Sequence, residues 1–111
     1  MDLKEESNGG VTVVEISGRI DSASAPTLQE RLSAIMSAAK VNVLLDLSRL
    51  EYISSAGFRV LLLAGKRSDE NGTRFVLCSV SGKVRQLFDL GGFLDLFTIA
   101  ATREEGWAAV G

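Results

Sequence analysis

Asp46-Leu47-Ser48-Arg49-Leu50-Glu51-Tyr52-Ile53-Ser54-Ser55-Ala56-Gly57-Phe58-Arg59-Val60-Leu61-Leu62 runs from the end of a strand, through a loop, into a helix. Val41 to Leu47, just upstream and within it, is a short apolar run bounded by polar residues, the pattern of a central strand covered on both faces. Ser48 to Ile53 reads as a connecting loop. Beyond it Phe58, Leu61, Leu62 and Gly65 recur at helical spacing, and Asn71-Gly72 supplies the left-handed residue that stops a helix. Ser54 and Ser55 therefore stand where the loop turns into that helix.

Working outward, the same alternation continues in both directions. Towards the amino terminus, Asn8-Gly9-Gly10 predicts a tight hairpin turn between a Leu3-containing strand and a second strand, Val11 to Ser17. Ser24-Ala25-Pro26 opens a helix, Ser24 as its cap and Pro26 in its first turn, with Leu28, Leu32, Ile35, Met36 and Ala39 on its inner face. Towards the carboxyl terminus, Arg74 to Ser79 reads as a further strand. Ser81 is placed to cap a helix whose apolar face is Val84, Leu87, Phe88 and Gly91, and Phe97-Thr98-Ile99 as a short last strand. Thr102 lies three residues before Glu105, the spacing of a capping box, so a final helix is expected there although Gly106 weakens it. The expected fold is a single α/β domain over residues 1–111, a mixed sheet of four to five strands with four helices packed on it.

Composition bounds the chemistry. The chain has 111 residues, 46% of them apolar and 23% charged, enough for one domain with a real core. Twelve basic against 14 acidic residues give a net charge of -2, so no basic footprint for direct binding of nucleic acid exists. The absence of histidine removes Ser-His-Asp triads, Cys-His pairs and imidazole metal sites. The one cysteine, Cys78, lies in the run Phe75-Val76-Leu77-Cys78 and reads as a buried filler, which suits a reducing compartment. No apolar signal region opens the chain, and no run approaches the ~18 apolar residues of a membrane span. A cytoplasmic location is expected.

Two adjacent serines at a helix start invite two readings. In the first, a serine oxygen accepts a hydrogen bond from a free backbone amide and caps the helix, which stabilises it by ~1 kcal/mol. One cap, however, needs one serine. In the second, one serine is phosphorylated, since free amides and the positive end of the helix dipole tolerate added negative charge. Arg59, four residues beyond Ser55, can reach the same helical face and offer the phosphate a cation. Gly57 is suited to close approach of a partner or to helix packing, and Asp21 and Asp46 are expected at the ends of neighbouring strands, Asp46 as solvation or capping. Catalysis is not expected: Ser55 has no evident base, a chain this short spares little surface for a cleft between carboxylates, and the glycines lack phosphate-loop spacing. No cofactor or metal ligand set is expected.

Tyr52-Ile53-Ser54-Ser55-Ala56-Gly57-Phe58-Arg59-Val60-Leu61-Leu62, together with Gly18-Arg19-Ile20-Asp21 after a strand, resembles the two recurrent segments of bacterial anti-sigma factor antagonists, the stand-alone STAS-domain proteins. The likeness extends over roughly the whole chain. It implies a partner-switching module, with no reaction of its own, that binds an anti-sigma factor. That partner is also a serine kinase with a histidine-kinase-like ATP-binding fold, and binding it frees the sigma factor. Phosphorylation within the motif releases the complex, and a PP2C-type phosphatase reverses it. Many members read Asp-Ser-Ser-Gly or Asp-Ser-Thr-Gly here, so Ser54 falls at the aspartate, Ser55 at the first hydroxyl residue and Ala56 at the second. The resemblance thus implies Ser55 as acceptor, with Ser54 second, and Asp21, Ser54, Ser55, Ala56, Gly57, Phe58 and Arg59 as the partner-binding surface of a monomer. The alternative within the family is a fixed subunit of a lipid-transport or stress-sensing assembly, in which the serine merely caps a helix.

Overall fold

A computed structural model describes residues 1–111. It contains five strands, β1 (Asp2–Asn8), β2 (Val11–Ile20), β3 (Asn42–Ile53), β4 (Phe75–Cys78) and β5 (Thr98–Ala100), and four helices, α1 (Ala25–Ala38), α2 (Ser55–Asn71), α3 (Gly82–Leu90) and α4 (Arg103–Val110). The strands lie in the sheet in chain order. β1 pairs antiparallel with β2, and every later pair is parallel. Asn8 is the last paired residue of β1, so the hairpin turn is Gly9-Gly10, with φ of 57° and 84°, values a side chain would resist.

Because each crossover steps to the next strand in the same direction, right-handed connections place α1, α2 and α3 on one face. Leu28, Leu32, Met36, Phe58, Leu61, Val84 and Phe88 from these helices form the main core with Val14, Ile16, Leu45 and Leu77 of the sheet. Strand alternation turns Val13, Leu44, Val76 and Cys78 the other way, where α4 covers them with Val110. Cys78 is buried as expected, and burial, then the nearby charge of Asp46, push its thiol up. Gly106 earns its place in α4 by contact, since a methyl group there would stand 2.8 Å from Leu44 Cδ1.

Several local expectations change. β3 continues through Ser48 to Ile53, the stretch expected as a loop, because β2 also runs on to Ile20 and pairs with it, Gly18 to Leu50, Arg19 to Tyr52 and Ile20 to Ile53. Register shifts between Glu15 and Ser17 and between Gly18 and Arg19 leave extra residues on β3, so its polar positions fall side by side and its alternation is hidden. α1 ends at Ala38, which leaves Ala39 exposed rather than on the inner face, and Ile35 is half-buried. Ser24 and Ser81 occupy cap positions without a side-chain cap bond. Thr102 does cap α4, accepting from the Glu105 amide at 3.1 Å, while Glu105 reaches back to the Ala101 amide at 3.2 Å.

Candidate functional site at the start of the second helix

The carboxyl ends of β2 and β3 lie side by side, and the Ser54 amide donates to the Ile20 carbonyl at 2.8 Å. Ser54 is extended (φ -84°, ψ 170°) and its Oγ accepts from the Gly57 amide at 3.2 Å, so Ser54 is the helix cap. Ser55 is the first helical residue and is exposed. With Ser54 taking the capping role, no hydrogen bond within the chain engages the Ser55 hydroxyl. The first intrahelical bond runs from the Phe58 amide to the Ser54 carbonyl, which leaves the amides of Ser55 and Ala56 at the positive end of the dipole without helical acceptors.

Phe58, expected on the partner surface, points inward instead, and of the two roles expected for Gly57 the packing one is what the fold uses. A methyl group on Gly57 would stand 2.7 Å from both Ile20 Cγ2 and Ile53 Cγ1, so this glycine lets the helix start press onto the ends of β2 and β3. Phe58 is 5% exposed, edge-on to Phe88 at 4.8 Å and stacked on Phe93 at 4.2 Å, which ties α2 to α3 and the turn after it. Both are buried by packing that helical periodicity implied for Phe58 and that the motif alone obscured. Ala56 is half-buried against the main core.

Ser55, Ala56 and Arg59 form one wall of a cleft of about 450 Å³, and Ser22, Pro26 and Gln29 belong to the opposite wall. Those three escaped the sequence reading, because only the packing of α1 beside α2 brings them to the serine. Arg59 is exposed and forms no ion pair, consistent with its place one turn from Ser55.

Asp21 follows the last residue of β2, as expected, and is partly exposed. Its Oδ1 accepts from the Ser24 amide at 2.9 Å, the Ser24 hydroxyl at 3.0 Å and the Ala23 amide at 3.1 Å, while Ser24 Oγ accepts from the Asp21 amide at 2.9 Å. The Ser24 amide above all, then its hydroxyl, hold the Asp21 carboxyl below the usual carboxylate range; partial desolvation opposes them, and Ala23 and Arg19 add smaller contributions. Arg19 lies over the Tyr52 ring, 4.3 Å from its centroid.

Asp46 departs from expectation. It lies inside β3, 4% exposed, where Oδ1 accepts from the Ser48 amide at 2.9 Å and Oδ2 from Arg103 at 3.2 Å. Arg103, at the start of α4, also reaches Glu15 at 3.5 Å and Glu6 at 3.7 Å. This cluster, on the α4 face, joins helix to sheet away from the serine cleft. A partner 57 positions distant in sequence leaves no local signal to read. No three His, Cys, Asp or Glu side chains come together in a way that could hold a metal ion, and no helix is long and apolar enough to cross a membrane.

A STAS-domain family model matches residues 3–106. BtrV of Bordetella bronchiseptica, provisionally named an anti-sigma factor antagonist, is 38% identical over 98% of this chain and 94% of its own. The crystal structure of an anti-sigma factor antagonist from Mycobacterium paratuberculosis superimposes with a TM-score of 0.88 at 26% identity, covering 98% of this chain and 92% of that one. The Bacillus cell fate determinant SpoIIAA, solved in its phosphorylated form, shares the fold with a TM-score of 0.74 at 20% identity, over 99% of this chain and all of that one. With the two motif segments, residues 18–21 and 52–62, meeting at adjacent strand ends and residues 3–106 matched, the chain belongs to the STAS-domain family, among its anti-sigma factor antagonists.

Proposed function

We propose that this chain is a phosphorylation-controlled antagonist whose unmodified form binds a serine-kinase anti-sigma factor and thereby releases the sigma factor. One observation carries the proposal: of two neighbouring serines, Ser54 is used as the helix cap and Ser55 is left exposed with its hydroxyl unbonded. A kinase needs an oxygen it can approach, and only Ser55 offers one without dismantling the helix start. In the reaction the Ser55 Oγ forms a bond to the γ-phosphorus of ATP, the bond to ADP breaks, and the hydroxyl proton leaves to a base of the kinase. The chain is the substrate and supplies no catalytic group.

The added charge of roughly -2 meets the free amides of the first turn, so the fold keeps its stability while the partner surface changes. A kinase seated on Ser55, Ser54, Ala56 and Arg59, with Asp21 at the neighbouring strand end, would have to bury that charge, which breaks the complex. A PP2C-type phosphatase restores the hydroxyl by hydrolysis. That a neighbour of the same fold was solved phosphorylated supports a switch of this type. The antagonist is proposed to work as a monomer in the cytoplasm.

The test is to incubate the purified chain with its kinase and ATP and to locate the phosphate by peptide mass spectrometry. Modification of Ser55, absent from Ser55→Ala and retained in Ser54→Ala, is the expected result. Phosphate on Ser54, or none at all, overturns the proposal.

A further inference from the structure

Next to Ser55 the fold holds a cation that nothing neutralises. Six other arginines are engaged: Arg31, Arg49 and Arg103 pair with carboxylates, Arg67 donates to two serine hydroxyls, Arg74 to the Ala109 and Gly111 carbonyls, and Arg19 lies over Tyr52, while Arg85 on α3 is unpaired like Arg59. Arg59 has none of these partners. It stands in the cleft between α1 and α2 as the sole charged side chain among the lining residues, and no carboxylate shares that lining. Ser55 and Arg59 are one helical turn apart, the separation at which side chains on a helix meet.

We infer that, once phosphorylated, Ser55 turns its phosphoryl group into the α1–α2 cleft and is held there by the Arg59 guanidinium, which makes Arg59 the positioning residue of the modified state. The inference rests on Ser55 being the acceptor. Three features favour the cleft over open solvent. The guanidinium matches a phosphate with two parallel N–H donors. No acidic side chain in the cleft competes for the cation. The opposite wall adds the Ser22 hydroxyl and the Gln29 amide as neutral donors. Modification would then lay the phosphate over the surface between Ser55 and Val60, fixing the blocking group in one place.

The experiment uses the full chain with phosphoserine installed at position 55 during synthesis, so that no kinase is required. The phosphate is titrated by phosphorus NMR from pH 4 to 8, a range spanning its ordinary second ionisation near ~6. In the parent chain it is expected to titrate about half a unit lower than in Arg59→Gln, with Arg59→Lys in between, and the gap should shrink in ~1 M salt. The helix amides act equally in all three proteins, so the difference reports Arg59 alone. Superimposable titrations overturn the inference. Failure of Ser55 as the kinase's target would leave these curves untouched and would show in the mass spectra instead.

Discussion

The starts of α1 and α2 use the same residue type to opposite ends. At α1, Ser24 and Asp21 spend their polar atoms on each other: the carboxylate takes three donors, and the Ser24 oxygen takes the Asp21 amide. At α2, Ser54 spends its hydroxyl on the Gly57 amide and Ser55 spends its own on nothing. This network makes a firm turn and leaves the Ser24 hydroxyl engaged. An open hydroxyl beside a completed cap is available for modification without breaking the cap, and that difference, more than the presence of serine, is what the proposed switch rests on.

The contrast can be broken most severely through Gly57. Gly57→Ala gains up to ~1 kcal/mol in helix propensity, but its methyl group overlaps Ile20 and Ile53 at 2.7 Å. Overpacking of this kind costs ~1–3 kcal/mol, so a net loss and a fall of several degrees in the thermal midpoint are expected. Next in size is the cap itself. Ser54→Ala should lose about 1 kcal/mol in urea titration, whereas Ser54→Asp, an equally good cap, should keep the parent stability.

At α1 the test is pH. Asp21 is held below its unfolded value of 3.8, so its stabilisation is fully present above that value and is lost as the pH falls through the lower folded value. Thermal midpoints between pH 5 and 2 should therefore fall less steeply in Asp21→Asn than in the parent. The smallest effect belongs to Ser55→Ala, whose stability should lie within about 0.5 kcal/mol of the parent because the hydroxyl it removes is unbonded. The same variant should lose all phosphate incorporation.

The reach of the sequence differs in the same way between regions. α2 was legible from its apolar spacing and from Asn71-Gly72, and the match between Thr102 and Glu105 located α4. β3 reads too short in the sequence because its register shifts against β2 set Ser48 and Arg49 side by side and mimic a loop. The preference for Ser55 over Ser54 rests on a family pattern; the division of labour between cap and free hydroxyl depends on the three-dimensional placement of the Gly57 amide. Gly57 and Phe58 illustrate the limit of a motif, which marks residues without saying which way they face. The cleft residues Ser22, Pro26 and Gln29, and the Asp46–Arg103 pair, depend on elements brought together only by the tertiary fold.

The central claim is that charge on Ser55 is tolerated by the domain and refused by its partner. The most direct measurement compares the chain phosphorylated at Ser55 with the unmodified chain in two respects at once, the thermal midpoint and the affinity for the serine-kinase anti-sigma factor. The account predicts midpoints within a few degrees of each other and an affinity at least ~10-fold weaker after modification, a difference of about 1.4 kcal/mol. A midpoint that collapses on phosphorylation, or a kinase that binds both forms equally, would contradict it.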